Sequence, residues 1–116
     1  ESRDHLFFNC NLSWTVWSSI ALRCQLQPLR SWSATVTQMQ AIQGPKDKRR
    51  LSLLAWQCSM YFLWGERNNR LHRNTFRSAD SLLRLIDSTV WNRISTFRDQ
   101  NPRLSSSMLQ LWFSSS

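Results

Sequence analysis

The chain has 116 residues, of which 41% are hydrophobic and 19% charged, and it contains only two glycines and three prolines. This composition excludes a disordered or collagen-like chain, the length argues against two independent domains, and the few turn-forming residues argue against an all-β fold. We therefore expect an all-α fold, a single-domain bundle of about four to five helices around a central hydrophobic helix. The net charge of +8 at pH 7 is typical of proteins with polyanionic partners, here RNA or DNA.

The first 45 residues predict short helical segments. Apolar residues between positions 4 and 23 recur at steps of three and four, with a break around residues 9–13, so a short helix, a turn and a second helix are expected. Residues 25–33, which include Pro28, predict a connection. Residues 34–42 predict another short helix, which ends at Gly44 and Pro45.

Residues 51–71 predict the central helix, because apolar residues cover most of its sides. Pro45 suits the first turn of this helix, where its missing N–H costs nothing, and Asp47 adds a favourable negative charge there. The most apolar window, residues 51–64, is too short to span a bilayer and is interrupted by polar residues. No membrane partner is therefore expected.

The last third of the chain predicts one long helix and a shorter segment. Residues 79–98 show the clearest amphipathic pattern, and Ser78 is a suitable N-cap. Asn101 and Pro102 should stop this helix. Residues 104–113 predict either a last short helix or a partly ordered tail.

The motifs of common catalytic sites are absent from the sequence. It contains no glycine-rich phosphate loop, no H-E-x-x-H and no G-x-S-x-G, and its seven carboxylates are scattered. Asp80 and Asp87 share one helix face, which is more typical of a solvated surface than of a metal-binding pair. We therefore expect a non-catalytic module.

Two basic segments supply the candidate nucleic-acid-binding residues, although a solvated basic surface would give the same pattern. The candidates are Lys46, Lys48, Arg49 and Arg50 in the first segment and Arg67, Arg70, Arg73 and Arg77, accompanied by His72, in the second. Such residues can contact phosphates while nearby rings stack on unpaired bases. Trp56, Trp64 and Trp91 fit buried stripes better than a stacking surface. Glu66 and Arg70 form an i,i+4 pair that supports the helix.

The three cysteines indicate a reduced, intracellular protein without a disulfide framework. Cys24 and Cys58 are predicted to be core residues. His5 and Cys10 form half of a possible zinc site, since structural zinc sites use four ligands, preferably Cys and His. Taken alone, the pair is more simply interpreted as a histidine at a helix start and a small buried cysteine.

Several segments carry a family resemblance that covers nearly the whole chain. They are E-S-R-D-H-L-F-F-N-C at residues 1–10 with Trp14 and Trp17, L-A-W-Q at 54–57, E-R-N-N-R-L-H at 66–72, N-R-I-S at 92–95, N-P-R-L at 101–104 and Q-L-W-F at 110–113. Together they resemble the reverse-transcriptase zinc-binding domain at the C-terminal end of plant LINE-type (non-LTR) retrotransposon polyproteins. In that family a C-x2-C pair lies upstream, and the resemblance implies that His5 and Cys10 would be the third and fourth zinc ligands.

The sequence departs from the family pattern at the metal site. The upstream cysteine pair is missing, and Cys24 and Cys58 do not have the spacing to replace it. We therefore interpret the chain as a piece of a longer reading frame that begins inside the zinc motif. Zinc is expected in the full family domain and not in this fragment.

The resemblance implies an organisation and a function. Residues 1–24 would be the C-terminal half of a zinc-knuckle-like segment with its following helix, and residues 25–116 a basic helical region of the same domain. The function implied is that of an accessory fragment of a reverse transcriptase, non-catalytic, RNA- or DNA-binding and located in the nucleus. The alternatives are a helical protein-protein interaction module and a decayed transposon remnant without selected function.

Overall fold

A computed structural model describes residues 10–115, which form five α-helices and no strand. The helices are α1 (Asn11–Arg23), α2 (Trp32–Gln40), α3 (Lys46–His72), α4 (Ala79–Thr96) and α5 (Pro102–Ser114). The expected all-α bundle is thus confirmed. The first predicted short helix, before residue 10, lies outside the described residues.

Helix α3 is the central element, as predicted. It contacts α1, α4 and α5, and its 27 residues correspond to a length of about 40 Å, which accounts for the 42 Å long axis of the molecule. The core face of α3 carries Leu51, Ala55, Cys58 and Leu63, all of them buried. No helix within residues 10–115 is both long enough and apolar enough to cross a membrane.

The residues that precede α4, α3 and α5 account for where these helices begin. The Ser78 hydroxyl accepts a hydrogen bond from the Ser81 N–H (3.1 Å) at the start of α4, as predicted. Pro45 is the N-cap of α3 and therefore precedes the first turn in which it was expected. At α5 the Asn101 side chain accepts from the Leu104 N–H (3.2 Å), with Pro102 at the first helical position. The pair expected only to stop α4 therefore also starts a complete α5.

Helix α1 ends in a Schellman motif, with Gln25 in the left-handed region at φ 60°. The Leu26 N–H donates to the Ala21 carbonyl (2.9 Å) and the Gln25 N–H to the Leu22 carbonyl (3.0 Å). This reversal directs the chain into the connection that leads to α2, which begins at the Ser31 N-cap. Trp32 of α2 then meets Trp56 of α3, with ring centroids 5.8 Å apart.

A polar cluster joins α1, α4 and α5. Arg23 Nη1 donates to Asp87 Oδ1 (3.2 Å), and Arg23 Nη2 donates to the Trp112 carbonyl (2.8 Å). The Trp112 indole N–H donates to the same Asp87 oxygen (2.7 Å), and the Arg23 guanidinium lies 3.5 Å from the Trp112 ring centroid. Asp87 is therefore an acceptor that holds three helices together.

Candidate nucleic-acid interface

The two predicted basic segments lie at opposite ends of α3. Lys46, Lys48, Arg49 and Arg50 occupy its first turns, whereas the second segment covers its last turns and the connection to α4. The 22 residues from Lys48 to Arg70 correspond to about 33 Å along the helix axis. The two segments therefore do not combine into one compact site.

The amino-terminal segment presents mostly exposed charge. Lys46 and Arg50 are exposed, and the exposed Arg49 donates from Nε to the Gly44 carbonyl (3.1 Å). Lys48 is half-buried and lines a cleft of about 250 Å³ whose other walls are aliphatic, serine, arginine, glutamine and cysteine side chains. Such a surface can contact phosphates, and the cleft at Lys48 is lined by no aromatic ring.

The carboxyl-terminal segment lies beside an open cleft of about 690 Å³, which we call the aromatic-basic cleft. It is formed by the last turns of α3 and the connection to α4. Its lining residues are Tyr61, Phe62, Trp64, Gly65, Asn68, Asn69, His72, Arg73 and Arg77, and they include no carboxylate. The cleft thus brings together His72, Arg73 and Arg77 of the residues predicted to contact phosphates.

Several aromatic rings at this end of α3 are exposed. Tyr61 is 70% exposed, Trp64 50% and Phe76, in the connection, 63%. The expectation that Trp64 and Trp91 are core residues is wrong, since Trp91 on α4 is also 40% exposed. Trp64 follows the fully buried Ala55 by nine residues, which places it about 180° away around the helix. The angle between these two residues is readable from the sequence, whereas the side of α3 that is buried is set by its contacts with α1, α4 and α5.

A buried carboxylate fixes the shape of this end of the cleft. Glu66 is 2% exposed, and its Oε2 accepts both from Arg70 Nε (2.6 Å) and from the Arg77 backbone N–H (2.9 Å). Arg70 also donates from Nη2 to the Arg77 carbonyl (3.0 Å), and its guanidinium lies 5.2 Å from the Phe76 ring centroid. The Glu66–Arg70 pair thus supports the connection as well as the helix. Arg70 positions this connection, and the phosphate contact expected of it stays a prediction.

Three further arginines lie in or beside the cleft and differ in their contacts. Arg67 lies over the Trp64 ring, with 5.5 Å between guanidinium and ring centroid. Arg73 and Arg77 are exposed, and their side chains make no hydrogen bond or ion pair with other residues in the range 10–115. Their positive charge is therefore directed to solvent beside the exposed rings.

The predicted metal ligands are only partly described by the structure. His5 lies outside the described residues, whereas Cys10 is the half-buried N-cap of α1. Among residues 10–115 no three His, Cys, Asp or Glu side chains are grouped so that they could hold a metal ion. Within residues 10–115 Cys10 thus belongs to no group of three ligands, and the role of His5 and Cys10 in the full family domain stays a prediction.

The other two cysteines are buried, as predicted, and belong to the core. Burial raises the pKa of the Cys24 thiol to about 11, and burial likewise raises the pKa of Cys58. Because the thiolate is the reactive form, both are poor nucleophiles at neutral pH.

Comparison of the chain with protein-family models, with curated proteins and with solved structures found no match in any of the three.

Proposed function

We propose that this chain is a non-catalytic module that binds RNA or DNA through the aromatic-basic cleft. The observation that carries the proposal is the meeting of exposed rings and exposed arginines in one cleft without a carboxylate in its lining. Arginines neutralise phosphates and release their counterions, while rings such as Tyr61 and Trp64 offer stacking surfaces for bases. The net charge of +8 favours the same class of partner.

The family resemblance supports the same proposal. A C-terminal module of a LINE-type reverse transcriptase would hold template RNA or target DNA near a polymerase located elsewhere in the polyprotein. Such a module would act at DNA in the nucleus. In this proposal the arginines beside the cleft hold the sugar-phosphate backbone. The amino-terminal segment of α3 adds a second, sequence-independent contact with phosphates.

The proposal is tested by the salt dependence of binding. Fluorescence anisotropy with labelled 15-nucleotide RNA and DNA at about 50 mM salt should show binding, and the logarithm of the binding constant should fall linearly with the logarithm of salt concentration. Replacing Arg67, Arg73 and Arg77 by glutamine together should reduce that slope by up to about 2, since each phosphate contact on a single strand contributes about 0.7.

A matched control removes the same charge elsewhere. Arg84, Arg98 and Arg103 are exposed on α4, just after it and on α5, so their triple replacement by glutamine lowers the net charge equally. The proposal expects the control to retain most of the slope. Absence of binding to either polymer at about 50 mM salt, or equal losses in the two triple variants, would contradict it.

A second candidate function, a protein-protein interaction module, is favoured by one observation. Leu53, Trp64 and Leu71 are exposed and lie within about 20° of one line along the outer face of α3. An exposed apolar row of this kind is typical of an interaction surface. Light scattering over a range of protein concentrations distinguishes the two, because this candidate predicts a mass that rises with concentration in the absence of nucleic acid.

A further inference from the structure

Gly65 has no packing reason to be a glycine. It lies in the interior of α3, where glycine is less favourable than alanine by about 1 kcal/mol. A Cβ added at this position would meet no heavy atom within 4 Å, so no neighbour requires its absence. What the missing side chain does provide is open space in the wall of the aromatic-basic cleft.

The groups around this gap offer two kinds of interaction. The exposed Tyr61 ring lies one helical turn before Gly65, and the Trp64 ring is also exposed in the cleft lining. Asn68 and Asn69 follow one turn later and line the same cleft with amide groups, each of which can donate and accept hydrogen bonds. Proteins recognise unpaired bases by stacking aromatic rings on them and by forming hydrogen bonds with their edges, which amide groups can do.

The charges at the cleft suit the backbone of the same ligand. Arg73 and Arg77 line its wall and are exposed, whereas the carboxylate of this region, Glu66, is buried and bonded to Arg70. A cleft of about 690 Å³ is in the range that accommodates small organic ligands. A duplex keeps its bases stacked inside, so its bases cannot reach rings that lie on a protein surface.

We propose that the aromatic-basic cleft binds an unpaired base of single-stranded RNA or DNA, with Gly65 leaving room for it beside the Tyr61 and Trp64 rings. This inference rests on the proposed function and specifies its ligand: single strands are preferred over duplexes because a base enters the cleft. Asn68 and Asn69 bond to the edge of the base, and Arg73 and Arg77 hold the flanking phosphates.

The test compares single strands that carry similar charge but differ in their bases, together with a duplex. Anisotropy is measured with a 15-nucleotide RNA, the corresponding single-stranded DNA, a DNA of equal length made of abasic sites, and the DNA duplex. The intact single strands should bind about tenfold more tightly than the abasic strand, a difference within the range expected for stacking of one base. Comparison of RNA with DNA shows whether the ribose hydroxyl adds to the interaction.

Two variants test whether the preference for intact over abasic strands arises in the cleft. Gly65→Leu fills the gap with a better helix former, so the protein should remain folded and the preference for intact over abasic strands should disappear. Gln110→Leu introduces the same side chain at an exposed position of α5 outside the cleft and should retain the preference. Circular dichroism and thermal unfolding establish that both variants are folded.

The possible outcomes separate failure of the base-binding cleft from failure of nucleic-acid binding as a whole. Equal affinity for intact, abasic and duplex probes, or a preference that survives Gly65→Leu, would overturn the base-binding cleft but leave nucleic-acid binding intact. No binding to any probe at about 50 mM salt would overturn both. A concentration-dependent mass that Gly65→Leu abolishes, in the absence of any nucleic acid preference, would assign the cleft to a protein partner and overturn the inference.

Discussion

At the scale of single residues, Cys24 lies in the core at the end of α1, beside the Ser52 hydroxyl of α3. Burial raises its pKa from 9.0 to about 11, so between these values the folded chain keeps a proton that the unfolded chain loses. Because the folded state binds the proton more tightly, the contribution of this thiol to the free energy of unfolding is fully present below pH 9. This contribution falls as the pH rises towards 11. We expect urea denaturation to show this decline in the native protein and a shallower decline in Cys24→Ala.

The control for this prediction is the half-buried Cys10. Cys10→Ala should show the same decline of stability with rising pH as the native protein, because the thiol that it removes does not belong to the core. The slope of stability against pH is the relevant quantity, since Cys24→Ala also removes buried volume and lowers the stability at every pH. Identical slopes in the native protein and Cys24→Ala would show that burial of this thiol does not set the pH dependence.

At the scale of elements, the connection between α3 and α4 depends on Glu66. Its Oε2 accepts from a side chain of α3 and from the backbone of Arg77, just before the Ser78 cap of α4. Glu66→Ala leaves both donors without this acceptor, so we expect the free energy of unfolding to fall by about 1–3 kcal/mol. The exposed Asp99→Ala should change it by less than about 0.5 kcal/mol, and equal effects in a chemical denaturation series would refute the assignment.

Helix positions could be predicted because their signals are local. The spacing of apolar residues and the Ser78 cap predicted α4, and Gly44 with Pro45 predicted the boundary before α3. The tryptophans were harder, because the outward turn of Trp64 depends on which side of α3 receives α1, α4 and α5. That information is tertiary, so a helix apolar on most sides leaves open which apolar residues remain in water.

The candidate site was predicted only in its charges. The second basic segment was recognised, but Tyr61, Gly65, Asn68 and Asn69 were not singled out, although their i, i+4, i+7 and i+8 spacing places them on one face of the predicted helix. The contact of Arg70 with the connection was missed for a different reason. Its hydrogen bond to the Arg77 carbonyl spans seven residues of a turn whose path is not visible in the sequence.

At the scale of the whole molecule, Arg23 links helices far apart in sequence. It bonds to Asp87 of α4 and to the Trp112 carbonyl of α5, and its planar group stacks on the Trp112 ring. A lysine cannot reproduce a forked, stacked contact, so Arg23→Lys should lower the free energy of unfolding by about 1–2 kcal/mol. Arg98→Lys, at an exposed position, is the control and should unfold at the same denaturant concentration as the native protein. The prediction fails if the two substitutions have the same effect.

The position of Trp112 in the fold also has a consequence for biosynthesis. Trp112 is fully buried against helices that are translated earlier, and α5 is the last of the five helices to leave the ribosome. Synthesis adds about 5–20 residues per second, so α1 to α4 exist for some seconds before their final apolar partner emerges. During that interval the surface that later receives Trp112 is open to water and to chaperones. The bundle therefore closes only after α5 has emerged, which makes α5 the element whose loss would expose the nascent chain to aggregation.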